Sequence, residues 1–253
     1  MARVVAPALR ALLEHLIDYA GMFPPAGLAL ANAVEKYRAY SESDQSWMLG
    51  RFVIAAEQLD RLAASDAISF SVLASGDHSR AAAIESKIVT STPKPTYCEV
   101  SIDRLPAVRA AGSFAKIRTG GVTPDAIPGV EYIAEYIRRC AKLRVPFKAT
   151  AGLHHPIRSI HPLTYEDGAP CATMHGFVNV FMAAACAWHG RREIEPILSE
   201  TDPTAFAFDD AAHWRDVRLS RDEIADARTH FAHSFGSCSF EEPVRDLELL
   251  GSL

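Results

Sequence analysis

Along this chain, short apolar, β-branched or aromatic runs are followed by polar or glycine-containing breaks and then by segments of helical spacing. A helix is expected over about Pro7 to Leu16, with its proline tolerated in the first turn. The first strand, Ile17 to Phe23, is stopped by Pro24-Pro25, and a helix from Leu28 to Tyr40 follows. Leu49 to Ala55 is the second strand, with a helix near Glu57 to Ala64. Ile68 to Ala74 is the third, with a helix near Ser79 to Lys87. Thr96 to Ile102 then precedes a short helix at Leu105 to Ala111, and Phe114 to Arg118 precedes a regular one at Pro128 to Lys142. Pro146 to Ala151 is the sixth strand, and the apolar helix His175 to Trp188 lies beyond it. Ala205 to Phe208 with a helix at Asp222 to His230, and Phe235 to Phe240 with Val244 to Leu250, complete the series.

Eight strand–helix alternations are the arithmetic of a (β/α)8 TIM barrel. The expectation is one α/β domain over residues 1–253, with an extended loop after the sixth strand. The rival architecture is a doubly wound open sheet of six or seven strands. Its usual nucleotide-binding fingerprints, GxGxxG after a strand and GxxxxGK[ST], are missing from the sequence.

Composition narrows the function classes. The 253 residues carry 26 Lys and Arg against 31 Asp and Glu, a net charge of -5, with the basic residues scattered. Neither a nucleic-acid nor a membrane-surface partner is expected from that balance. Five widely spaced cysteines without a CxxC pair suggest a reduced, cytoplasmic protein rather than a disulfide framework. The longest apolar stretch, Phe177 to Trp188, is far short of the roughly 20 residues that span a membrane.

In a parallel barrel, catalytic groups come from the C-terminal ends of strands and the loops just after them. Alternation puts Phe114, Lys116 and Arg118 on one face of their strand, and Lys148, Thr150 and Gly152 on one face of the next. Two inward lysines on neighbouring strands are candidates for Schiff-base chemistry, because burial and a second cation depress an amine pKa. The alternative is that each sits at a strand end paired with a carboxylate. Glu99, one strand earlier, suits a counter-ion or proton shuttle for the lysines, or a salt bridge with Arg118.

His154 and His155 follow the sixth strand, with His161 close behind and His175 at the start of the apolar helix. They fit substrate recognition, or a metal-assisted reaction using Glu99 or Asp18, although no HExxH or HxH motif occurs. The phrase Asp18-Tyr19-Ala20-Gly21 leads the first strand into its Pro-Pro stop, and an N-cap aspartate and a packing tyrosine are the plain alternatives to a site there. Gly121 and Ser237 lie in Thr119-Gly120-Gly121 and Gly236-Ser237-Cys238-Ser239, whose glycines and hydroxyls suit an anion or, equally, only a tight βα turn. Cys238 itself reads as a small core residue.

The phrases Lys116-Ile117-Arg118-Thr119-Gly120-Gly121 and Lys148-Ala149-Thr150-Ala151-Gly152 resemble those of class I aldolases of the deoxyribose-phosphate aldolase type, and cover about a tenth of the chain. Gly236-Ser237-Cys238-Ser239 is similar to that family's late phosphate-binding phrase. The resemblance implies a (β/α)8 barrel in which Lys116 forms the Schiff base and Lys148 lowers its pKa. Arg118 stands where the family has a small hydroxyl residue, and Leu153-His154-His155 where it has isoleucine and arginine. The family's middle-strand aspartate has no match, and Glu99 is its substitute. FKATAGLHHP, MHGFVNVF and FGSCSFEEP are also similar to phrases in a group of uncharacterised bacterial proteins.

Lys116, Lys148 and Glu99 are therefore the expected catalytic groups, with Arg118, His154, His155, His175, Asp18, Gly121 and Ser237 as substrate contacts. The expected activity is that of a lyase acting on a small carbonyl or anionic metabolite, without cofactor or resident metal, in a chain open to homo-oligomer formation. The alternatives are a metal-assisted hydrolase or lyase and a non-catalytic binder of an anionic metabolite.

Overall fold

The computed structural model describes residues 5–63 and 68–252. Seven parallel strands follow one another around a barrel: β1 (Ile17–Tyr19), β2 (Leu49–Ala55), β3 (Phe70–Leu73), β4 (Ala81–Ser86), β5 (Thr96–Glu99), β6 (Phe114–Arg118) and β7 (Phe147–Thr150). The last strand of the chain, β13 (Ala232–Ser237), pairs with both β7 and β1 and closes the ring. The fold is a single-domain α/β barrel of the (β/α)8 type.

Alternation along the strands divides the barrel into two chemistries. Ile17, Phe52, Ile54, Val72, Ile84, Ala115, Ile117, Phe147, Ala149 and Phe235 join the hydrophobic core between barrel and outer elements. The opposite faces turn Asp18, Ser71, Glu85, Glu99, Lys116 and Lys148 toward one another inside the ring. A register shift between Ala232 and Phe235 lets both His233 and Ser234 reach interior partners, Tyr97 and Asp18.

The helices are α1 (Pro7–Leu13), α2 (Leu30–Ser41), α3 (Ala56–Leu59), α4 (Leu105–Ala110), α5 (Val130–Leu143), α6 (Phe177–Trp188), α7 (Ile194–Ser199), α8 (Arg221–His230) and α9 (Glu241–Leu249). Helix α6 is apolar because α5, α7 and α8 pack around it. Its one polar interruption, Asn179, donates to the Ile197 and Glu200 carbonyls and accepts from the Arg158 amide. The loop after β7 contains a hairpin of β8 (Ser159–Pro162) and β9 (Cys171–Met174). A second excursion forms an antiparallel sheet of β10 (Phe206–Phe208), β11 (Ala211–Trp214) and β12 (Val217–Ser220).

Two expected elements differ, and the differences offset each other in the strand count. The segment read as a helix near Ser79 to Lys87 is strand β4, paired with β3 and β5. Its alanines favour helix intrinsically, but two parallel neighbours supply ladder hydrogen bonds that override that preference. Ala205 to Phe208, read as the seventh barrel strand, instead contributes β10 to the antiparallel sheet outside the ring. Among the described residues, no helix separates β3 from β4 or β4 from β5. The helix expected near Glu57 to Ala64 is shortened to α3, and Ala64 lies outside the described residues. No helix among the described residues is long and apolar enough to cross a membrane.

Candidate active site

Six side chains of alternating charge run from the barrel floor to its mouth. Asp18 Oδ2 accepts from Lys148 Nζ at 2.6 Å, and Lys148 donates onward to Glu85 Oε1 at 2.5 Å. The other oxygen of Glu85, Oε2, meets Lys116 Nζ at 2.9 Å; Lys116 reaches Glu99 Oε2 at 2.9 Å, and Arg118 Nε lies 3.4 Å from Glu99 Oε1. Exposure rises along the chain, from 1% for the Lys148 side chain to 7% for Lys116, 22% for Glu99 and 52% for Arg118. Three carboxylates therefore balance three cations. Glu85 and Asp18 thus supply negative charge in addition to that of Glu99.

Backbone geometry fixes the floor of this network. Asp18 Oδ1 accepts from the Arg51 amide at 2.7 Å, and Ser234 Oγ donates to Oδ2 at 2.7 Å. A Cβ on Gly50 would lie 2.3 Å from Asp18 Oδ1, so glycine lets the carboxylate reach that amide. Gly50→Ala is expected to cost about 1–3 kcal/mol by overpacking, measured as a lower denaturant midpoint at unchanged slope. Ser71 Oγ donates to Glu85 Oε1 at 2.7 Å from the neighbouring strand.

The proton affinities follow from these partners. Burial alone would raise the Glu85 carboxyl, but Lys148 and then Lys116 hold it well below the usual carboxylate range. Burial alone would lower the Lys148 ammonium, yet Asp18 and Glu85 more than offset it and push its pKa up. For Lys148, the acids that touch it dominate over burial, which matches the alternative in which a strand lysine pairs with a carboxylate. Burial opposes ionisation of Glu99 as well, but Lys116 and then Arg118 lower its pKa.

His233 adds a neutral group to the interior, accepting from Tyr97 Oη at its Nδ1 (2.8 Å). Burial and then Arg228 depress its pKa from 6.5 to about 4. The stability that this neutral imidazole contributes is full above 6.5, its unfolded value, and is lost as pH falls toward about 4. Thermal midpoints are expected to decline over that window. His233→Gln, which keeps an acceptor for Tyr97, should make the decline shallower, whereas an unchanged profile would exclude His233 as a contributor.

Above the network, a cavity of about 990 Å³ opens at the C-terminal ends of the strands, large enough for a small metabolite. Lys116, Glu85, Glu99, Arg118, Thr150 and Gly121 are among its lining residues. Its walls are also apolar, with Phe23, Val53, Leu73, Leu163 and Met174 contributing. Comparison with known proteins returns no match among family models, curated proteins or solved structures. The reading of this cavity therefore rests on its own residues.

The sequence candidates divide cleanly against it. Lys116, Glu99, Arg118, Gly121, His154 and His155 line the cavity. Lys148 and Asp18 form its sealed underside as an ion pair, so Asp18 is a partner of Lys148 and not a substrate contact. His175 is buried elsewhere, its Nε2 against the Pro128 carbonyl at 2.8 Å. The Ser237 hydroxyl accepts from the Ser239 amide, and Ser237 is not among the lining residues. His154 Nδ1 lies 2.9 Å from Glu242 Oε2, and His155 Nδ1 lies 2.6 Å from Asp246 Oδ2. The His155 and His161 rings stack with centroids 3.3 Å apart. Among the described residues, no three His, Cys, Asp or Glu side chains converge as a metal-binding set.

Glu85 is the residue that sequence reasoning missed, hidden in a segment assigned to a helix. Its signal is modest: an acid at the end of Ala81-Ala82-Ala83-Ile84-Glu85, between two other apolar runs. Of the acids in the network it alone contacts both lysines.

Proposed function

We propose that the protein is an aldolase-type lyase that forms an imine between Lys116 and a small carbonyl substrate. The observation that carries this reading is the asymmetry of the two lysines. Lys116 lines the cavity, while Lys148 is sealed beneath it between Asp18 and Glu85. Attack on a carbonyl requires the neutral amine. Glu99, 2.9 Å from Lys116 and partly open to the cavity, is positioned to take that proton. Glu85 is the poorer acceptor, because both lysines hold its carboxylate.

The amine then adds to the carbonyl carbon to give a carbinolamine, and Glu99 returns the proton to its hydroxyl, which leaves as water. The resulting iminium draws electrons from the adjacent bond, so that a carbon–carbon bond or an α-hydrogen can be released. Lys148 remains an ammonium throughout and stabilises the Glu85 carboxylate beside the reacting nitrogen. Glu85 stands on β4 with contacts to both lysines, which makes it a better counterpart than Glu99 for the acid that the aldolase resemblance implies on a middle strand.

Arg118, exposed at the mouth, is suited to hold a carboxylate or phosphate on the substrate by a bidentate pair. Binding should weaken as salt rises, and Arg118→Ala should weaken it further while leaving the thermal midpoint nearly unchanged. Affinity indifferent to both salt and Arg118 would refute the anionic assignment. The imine itself is tested by incubating the protein with short-chain aldehydes and 2-keto acids in the presence of borohydride. Intact mass should show one reduced adduct per chain, and no adduct across the panel would reject the lyase reading.

A further inference from the structure

Elsewhere on the cavity wall, the segments after β7 and β13 and the start of α9 bring together groups that the imine chemistry does not use. Cys238 follows β13, His154 follows β7, Glu242 lies in the first turn of α9, and Tyr165 comes from the hairpin connection. Cys238 Sγ is 3.9 Å from His154 Nε2, and His154 Nδ1 is 2.9 Å from Glu242 Oε2. Tyr165 Oη donates to Glu242 Oε2 at 2.9 Å and lies 3.7 Å from Cys238 Sγ. All four residues line the cavity. We propose that Cys238, His154 and Glu242 form a second catalytic centre, a thiolate nucleophile with its acid–base partner, that accepts acyl groups from small activated esters or thioesters.

The arrangement has the order that such chemistry needs: nucleophile, imidazole, and a carboxylate that orients the imidazole. Burial would keep the thiol protonated, but His154 lowers its pKa. Burial would likewise lower His154, yet its bonds to Cys238 and Glu242 push it up to about 9. The charged groups around this pair are Glu242, Arg245 and Asp246 from α9, His155 beside His154, and His161 on β8; Tyr19 on β1 and Tyr165 add two phenols. Of these, Asp246 is engaged by His155 at 2.6 Å, leaving Glu242 as the carboxylate on His154.

In the first step Sγ bonds to the acyl carbon while the carbon–oxygen or carbon–sulfur bond to the leaving group breaks. The departing group takes the proton from His154 Nε2. In the second step water gives a proton to His154 and its hydroxyl to the acyl carbon, releasing the acid and restoring the thiolate. No oxidant, metal or cofactor enters the balance. The centre is chemically independent of Lys116, so failure of either proposal leaves the other standing.

The test uses the full chain with p-nitrophenyl acetate, and iodoacetamide as a second probe. Peptide mapping after brief exposure to the ester should place an acetyl group on Cys238, with a matching burst of nitrophenolate. Cys238→Ser should lose the burst, and His154→Gln should slow it about 100-fold. In the unmodified sequence, labelling of Cys238 by iodoacetamide relative to exposed Cys171 should rise as pH falls from about 8 to about 6, as expected of a thiol that the neighbouring imidazole holds below its ordinary pKa. Acetyl found only on Lys116 or on no residue would overturn the proposal. So would a Cys238-to-Cys171 labelling ratio that does not change with pH.

Discussion

Glu85→Ala is expected to be the most damaging single substitution in the barrel, costing about 3–5 kcal/mol of folding stability. Removing this carboxylate leaves Lys148, buried on all sides, with Asp18 as its only remaining anion, and leaves Lys116 with Glu99 alone. It also deprives Ser71 of the acceptor for its hydroxyl. Two buried ammonium groups then lose the carboxylate they share, in an interior where hydration cannot replace it. Since whole domains have stabilities of about 5–15 kcal/mol, the variant should show a large drop in denaturant midpoint or fail to accumulate. Glu85→Gln, which keeps the volume and one hydrogen-bond acceptor, should lose less. A Glu85→Ala midpoint within about 1 kcal/mol of the unmodified protein would mean the ion network is not coupled to folding.

Lys116→Ala carries the largest expected effect on chemistry: complete loss of imine formation with the fold retained. Lys116 is near the outer end of the buried network, and its removal leaves Glu85 paired with Lys148 and Glu99 with Arg118. Each remaining charge therefore keeps a partner, and the thermal midpoint should move far less than in Glu85→Ala. Lys148→Ala should behave in the opposite way. It strands Asp18 beneath the cavity floor and leaves Glu85 with Lys116 alone, so it should damage stability before it informs on catalysis. Glu99→Gln keeps Lys116 in place but removes the proton acceptor, so its imine formation should slow by about 100-fold or more. Equal effects of all three substitutions on activity, at equal stability, would contradict the division of roles between floor and cavity.

Much of the barrel is legible in the strand pattern itself. Phe114 to Arg118 and Leu49 to Ala55 coincide with observed strands, and period two alone turns Lys116 and Lys148 inward. Glu99 is readable by the same rule, and its contacts with both Lys116 and Arg118 combine two roles posed as alternatives. The fourth strand was not legible, because Ala81-Ala82-Ala83 carries the composition of a helix and only the neighbouring strands decide otherwise. With Glu85 hidden there, the charge balance and the direction of the Lys148 shift could not be read.

The thiol, imidazole and carboxylate of the second centre were obscured for a different reason. His154 lies 84 residues from Cys238 and 88 from Glu242, and only the pairing of β7 with β13 makes their loops neighbours. Phe206 to Phe208 shows the reverse case, an apolar run that satisfies the strand pattern but finds antiparallel partners outside the ring.

The central claim, that Lys116 is the imine-forming residue, is tested most directly by locating the reduced adduct along the chain. Protein trapped with borohydride and the best substrate of the aldehyde and keto-acid panel is digested, and the modified peptide is sequenced by mass spectrometry. The account predicts a single secondary amine on Lys116, with Lys148 unmodified and no adduct in Lys116→Ala. An adduct on Lys148, or one that persists unchanged in Lys116→Ala, would contradict it.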